Sequence, residues 1–168
     1  RCCVRCRSGA LICYEDVFAY AARAQARNGA NFLLVLTNDA WYPTSTESKQ
    51  HYANSIFRCI ETRLPMVRAG NMNYSVLLDA RGNATDSIFM RLDPKTGRRA
   101  PNLGLAESGS ARFVVRAAEN PRLTFYVAHG DVFVAVMALV FLCGATLALL
   151  RSMSFRRALL EDAEPEKS

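Results

Sequence analysis

The chain has 168 residues, with 21 Lys and Arg against 15 Asp and Glu and a hydrophobic share of 51%. That length suits one domain with an appendage and excludes a multidomain assembly within these residues. The net charge of +6 comes from cations scattered among acids, without a sustained basic stripe or interleaved aromatics, so nucleic acid is not an expected partner.

The chain opens on RCCVRCRS, which crowds Cys2, Cys3 and Cys6 together, while Cys13, Cys59 and Cys143 stand alone. Such spacing builds neither a disulfide framework nor a zinc site, which needs a second ligand pair, so no metal or cofactor is expected. SGALIC reads as a short buried strand ending at Cys13. Asp16 is placed to cap an Ala-rich helix over Val17 to Asn28, closed by Asn28 and Gly29. FLLVLT, Phe32 to Thr37, is continuously apolar, the pattern of a strand covered on both faces. Strand, helix, strand is an α/β arrangement.

NDAWYPTSTESKQ follows as a polar loop carrying the aromatic pair Trp41 and Tyr42. A second helix is predicted from about Ser48 to Thr62, with Tyr52, Ile56 and Ile60 on one face. Pro65 precedes a strand, MVRA, and YSVLLD turns through Asp79, Ala80, Arg81 and Gly82 toward SIFMRL as a hairpin. Asp93 to Gly109 is rich in Pro, Gly, Arg and Asn and reads as loop. RFVVRA and LTFYVAHGD then lead to VFVAVMALVFLCGATLALL, Val132 to Leu150, an uncharged run of 19 residues. As a helix rising about 1.5 Å per residue, it approaches the hydrocarbon thickness of a bilayer, about 30 Å. A core helix apolar on every side would need a larger protein around it. Arg151, Arg156 and Arg157 follow the run at once, so the positive-inside rule puts the tail in the cytoplasm and the body on the opposite face. The expected divisions are a body over 1–130, a transmembrane helix over 131–151 and a tail over 152–168.

Cys13 carries two readings. A free Cys is commonly a small buried residue. One at the end of an apolar strand, with helix N–H groups close behind, can instead be a nucleophile whose oxyanion those groups hold. Glu15 shares its side of the chain by strand alternation and can handle protons or organise the site, although a carboxylate beside a thiolate also raises the thiol pKa. His51 is a further candidate base, one of the chain's two imidazoles. Asn38 and Asp39 end the second strand at the same sheet edge, as caps or as site residues. Trp41 and Tyr42 suit a lip for an acyl chain or the headgroup level of a bilayer. Arg58 and Glu61 are spaced to pair on a helix. Arg68, inside an apolar strand, needs a partner if buried. Asn71 and Asn73 offer turn geometry or amide contacts, with Ser75 beyond them.

LICYEDVF, GANFLLVLTNDAWY, QHYANSIFRCIETRLPMVRAGNMNYSVLLDARG and FYVAHGDVF before the apolar run together resemble the C-terminal part of the nitrilase-like domain of the bacterial apolipoprotein N-acyltransferases. The resemblance covers about Ala10 to Leu150. It implies part of an α-β-β-α sandwich facing the periplasm, followed by a membrane helix in the inner membrane. Such enzymes use a Glu, Lys and Cys triad. The cysteine takes an acyl chain from a phospholipid as a thioester and passes it to the α-amino group of a diacylglyceryl-prolipoprotein. By position, the resemblance implies that Cys13 is the nucleophile and Glu15 an auxiliary acid. Tyr14, Asn38, Trp41, Tyr42, Asn71 and Ser75 fall around the pocket. Tyr42 stands where the family often has Phe, and Asn73 where it usually has Gly, an exchange that the left-handed tolerance of Asn accommodates. The triad's Glu and Lys lie upstream of the cysteine in the family, and 12 residues precede Cys13 here, so a fragment or truncated product is expected. A membrane-anchored amide hydrolase of the same superfamily and an inactive remnant are the alternatives.

Overall fold

A computed structural model describes residues 6–41, 46–92, 99–101, 109–119 and 121–162, with side chains omitted over 90–100 and 155–162. Tyr42, Cys2, Cys3 and the end of the tail lie outside the described residues. The chain divides into two compact units, one ending at Ala128 and the other starting at His129.

The first unit is built on a five-stranded sheet in sequential order: β1 (Ser8–Ile12), β2 (Phe32–Asn38), β3 (Met66–Asn71), β4 (Val76–Leu78) and β5 (Ala84–Ser87). The first three strands are parallel, linked by α1 (Ala19–Arg27) and α2 (Glu47–Thr62), and the last two are antiparallel additions. Pairing of Leu33 with Met66 and Met66 with Leu78 sets one row of core side chains across three strands. The next row runs Leu11, Val35, Arg68 and Val76. These rows and the buried faces of the helices, with Ala22, Ala26 and Cys59, form the core. Gly9 permits the close approach of α1, since a Cβ there would stand 2.6 Å from the Gln25 Cβ. The arrangement is α/β, a mixed sheet with helices, and supplies one helix layer and one sheet layer of the sandwich expected.

Several expectations change in detail. Asp16 does not cap α1. The N-cap is Phe18, which makes no side-chain capping bond, and residues Cys13–Val17 form a separate 3-10 turn. The helix therefore starts six residues after the cysteine rather than directly behind it. In β2, Leu33 and Val35 are buried, but Leu34 is half-buried and Leu36 is 46% exposed, so only one face of the strand is covered among the described residues. The hairpin forms at Asp79 to Gly82, where the Asp79 Oδ1 accepts from the Arg81 and Asn83 N–H groups and Gly82 takes φ 82°. Its second strand is Ala84–Ser87, however, and the following Met90–Leu92 (β6) pairs with Arg99–Pro101 (β7), a strand inside the segment read as loop. The left-handed residue after β3 is Met72, φ 55°, rather than Asn73. Asn73 is buried, with its Oδ1 accepting from the Tyr74 N–H.

LTFYVAHGD contributes a short helix, α3 (Phe125–His129). Arg27, ending α1, donates to the carbonyls of Val127 at 2.8 Å and Ala128 at 2.6 Å. The second unit is dominated by α4 (Val132–Asp162). Its stretch Val132–Ser154 has 23 residues, enough length and apolarity to cross a membrane, and 0% of its most apolar window is buried.

Candidate active site

The three parallel strands end at one edge of the sheet, and that edge collects most of the residues singled out in the sequence. Cys13 follows the last residue of β1, is solvent-exposed, and adopts φ 52°. A left-handed conformation costs a non-glycine residue about 1–2 kcal/mol, so surrounding contacts must hold the turn. Glu15 supplies one of them. Its Oε2 accepts from the Ile12 N–H at 2.7 Å, folding the carboxylate back beside the cysteine's own backbone. Arg58 Nη1 supplies another by donating to the Val17 carbonyl at 2.9 Å.

Asn38 and Asn71 end β2 and β3 and meet directly, the Asn71 Nδ2 donating to the Asn38 Oδ1 at 2.9 Å. Trp41 is 79% exposed beyond them, and Tyr14 is 54% exposed, packed by an edge contact with Phe18. These side chains thus stand at the same strand ends as Cys13 and are open to solvent. Ser75 differs. Its hydroxyl accepts from the Gly70 N–H and donates to the Gly70 carbonyl, bracing the turn between β3 and β4.

Beneath the surface lies a charged cluster that the sequence reading saw only in pieces. Asp16 is fully buried and its carboxylate receives Nε2 of His51 at 2.6 Å, the Ser55 hydroxyl and Nη1 of Arg68. The other His51 nitrogen, Nδ1, lies 2.9 Å from Oδ2 of Asp39 and 3.4 Å from Oε1 of Glu47. The Thr37 hydroxyl donates to Oδ1 of Asp39 at 2.6 Å, and Nη2 of Arg68 is 3.8 Å from Oδ2. Both nitrogens of His51 face carboxylates, and only the doubly protonated imidazolium donates at both.

The electrostatics agree with this assignment. Burial alone lowers the His51 pKa, but the bond to Asp16 and the further carboxylates outweigh burial and the Arg68 charge, leaving it above its ordinary value. Burial pushes Asp16 up, yet the bond from His51, the Arg68 charge and the Ser55 hydroxyl hold it below the usual carboxylate range. Glu47 is raised by burial and by the neighbouring charge of Asp39. His51 is consequently not a general base facing Cys13, because both its nitrogens are committed inward. Arg68 has the partner its burial demanded, and Arg58 pairs with Glu61 at 2.8 Å as helical spacing suggested.

Asp39, Glu47 and His51 also bring ligand atoms within 4.8 Å of one another, the one such group among the described residues that could hold a metal ion. The imidazolium already occupies the space between Asp39 and Asp16, and the guanidinium lies close to the same carboxylate, so positive charge is supplied without a metal. Cys59, the one buried cysteine among the described residues, has its thiol pKa pushed up by burial and is unsuited to nucleophilic work.

The pattern of the carbon-nitrogen hydrolase family matches residues 3–87. The chain belongs to the carbon-nitrogen hydrolase family. Among curated relatives, apolipoprotein N-acyltransferase from Geobacter metallireducens is 32% identical over 151 residues, covering 90% of this chain and 25% of the relative. Apolipoprotein N-acyltransferase from Sinorhizobium fredii is 46% identical over 72 residues, covering 43% of this chain and 13% of the relative. The chain thus spans about a quarter of the first of these relatives and less of the second. A solved carbon-nitrogen hydrolase from Helicobacter pylori superposes with a TM-score of 0.43 at 15% identity, over 48% of this chain and 36% of that one. In this carbon-nitrogen hydrolase chain, the matched segment contains β1 to β5 and Cys13, and α4 lies beyond it.

Proposed function

We propose that the chain is the acyl-carrying part of an apolipoprotein N-acyltransferase, with Cys13 as nucleophile. The observation that carries this reading is the exposed, left-handed Cys13 at the end of β1, in a carbon-nitrogen hydrolase fold that also brings an apolar helix of membrane-spanning length. The Cys13 thiolate attacks the ester carbonyl of a phospholipid. A carbon–sulfur bond forms, the ester carbon–oxygen bond breaks, and the leaving lysophospholipid oxygen takes a proton. The α-amino group of a diacylglyceryl-prolipoprotein then attacks the thioester. A carbon–nitrogen bond replaces the carbon–sulfur bond, and the proton lost by the amine accompanies return of the thiol.

Glu15, tied to the Ile12 N–H, is the auxiliary acid that holds charge beside the cysteine. Tyr14, Asn38, Trp41, Tyr42, Asn71 and Ser75 form or support the pocket. The resemblance matches no residue of this chain to the triad's Glu and Lys, so we assign no general base. The site lies on the periplasmic face of the inner membrane, with the tail cytoplasmic. The chemistry draws on a thiol and no cofactor.

The test is intact-mass analysis of the whole chain in phospholipid bilayers, with peptide mapping. An acyl-sized increment on Cys13, released by hydroxylamine and missing in Cys13→Ala, is expected. An unmodified Cys13 overturns the proposal. Ammonia released from small amides without lipid dependence would assign the site to amide hydrolysis instead.

A further inference from the structure

We propose that Asp16 is a positioning residue for Cys13, and that the buried bonds made to it by His51, Ser55 and Arg68 hold the cysteine's turn at the end of β1. Asp16 is fully enclosed, so it meets neither lipid nor acceptor and acts only through the backbone it belongs to. That backbone is the 3-10 turn Cys13–Val17, in which Cys13 is left-handed. A conformation of this kind persists where neighbours over-determine it.

The neighbours here come from two other elements. His51 and Ser55, one helical turn apart on α2, reach one carboxylate from above, and Arg68 reaches it from the buried face of β3. Asp39, at the end of β2, grips the opposite nitrogen of His51, with Glu47 beside it. One carboxylate therefore ties the cysteine's turn directly to α2 and β3 and, through His51, to Asp39 after β2. The Tyr14 ring, next to the cysteine, lies over His51 with centroids 5.3 Å apart, so the bases of the pocket and the clamp are in direct contact. If the clamp is released, Cys13 can leave the left-handed region and turn its small, apolar side chain onto Ile12, Tyr14 and Phe18.

The proposal rests on the acyl-transfer reading for one of its readouts only. With the whole chain in phospholipid bilayers, Asp16→Asn, Ser55→Ala and a remote core variant, Leu78→Ala, are compared with the unaltered chain. Three quantities are followed: the rate of thioester formation on Cys13, iodoacetamide labelling of Cys13 relative to exposed Cys6, and hydrogen exchange over residues 13–17. Asp16→Asn is expected to slow thioester formation about tenfold or more at saturating lipid, without moving the lipid concentration for half-maximal rate. It should also lower the Cys13 to Cys6 labelling ratio and speed exchange in the turn, with Ser55→Ala intermediate. Leu78→Ala should speed exchange in the sheet and leave the labelling ratio unaltered.

An unaltered ratio in Asp16→Asn, or the same fall in Leu78→Ala, overturns the positioning role. If Asp16→Asn does not fold, Ser55→Ala decides the matter by the same criteria. If the unaltered chain forms no thioester while the labelling ratio still follows Asp16, the acyl-transfer reading fails and the positioning role stands.

Discussion

At the scale of single residues, backbone strain at Cys13 and enclosed charge at Arg68 make separate claims. Glycine pays nothing for φ near +52°, whereas alanine pays what cysteine pays, so Cys13→Gly should be more stable than Cys13→Ala by about 1–2 kcal/mol. Denaturation followed by circular dichroism checks this, and equal midpoints would mean that the turn relaxes without strain. Arg68 is fully buried against Asp16. Arg68→Met keeps much of the volume but leaves the carboxylates short of one cation, and should cost roughly 3–5 kcal/mol. A loss below 1 kcal/mol would show that His51 alone suffices. The need for a partner was legible from Arg68 lying between Val67 and Ala69, because a cation in an apolar strand must be answered. Which residue answers it was not legible, since Asp16 read locally as a helix cap and His51 as a candidate base. Both side chains turn inward for reasons that arise only when β1, α2 and β3 pack.

At the scale of elements, the parallel strands, both long helices and the hairpin turn followed from periodicity and punctuation, because those signals are local. The details that escaped depend on neighbours. Ala84–Ser87, with the sequence ATDS, has little strand character of its own and forms β5 because β4 offers a pairing edge. The 3-10 turn likewise exists because Asp16 is drawn inward, which delays the start of α1. The seating of α2 on that turn should vary with pH. The folded pKa of His51 lies above its ordinary 6.5, so its contribution is complete below 6.5 and is lost as pH rises through the folded value. The folded pKa of Asp16 lies below its ordinary 3.8, so its contribution is complete above 3.8 and is lost as pH falls through the folded value. Both contributions are complete together only between 3.8 and 6.5. Thermal midpoints across pH 3 to 9 should therefore be highest in that window and fall on its alkaline side. Asp39→Asn removes one influence that raises His51 and should bring the alkaline fall to lower pH. An alkaline limb that does not move would mean that Asp39 does not hold the second proton of His51.

At the scale of the whole molecule, the chain joins an α/β unit to a helix long and apolar enough to cross a membrane. A span of 23 residues rising about 1.5 Å each exceeds the hydrocarbon core, about 30 Å, so crossing with some tilt is the geometry it fits. The positive-inside rule predicts its orientation from an imbalance of charge, with Arg151 near the end of the span, Arg156 and Arg157 just past it and Asp131 just before it. A reporter fused after Ser168 should be active only on the cytoplasmic side, and a protease added outside should cut the first unit while sparing the reporter. Leu142→Arg, near mid-span, carries an insertion penalty of about 2.5–3.5 kcal/mol and should shift the chain out of the carbonate-resistant membrane fraction. Replacing Arg151, Arg156 and Arg157 by Ser should instead leave insertion intact and yield a mixture of orientations. If Leu142→Arg leaves the membrane fraction unchanged, α4 is not the anchor. If the triple Ser variant retains a single orientation, the arginines do not set it, and residues other than these three must fix it.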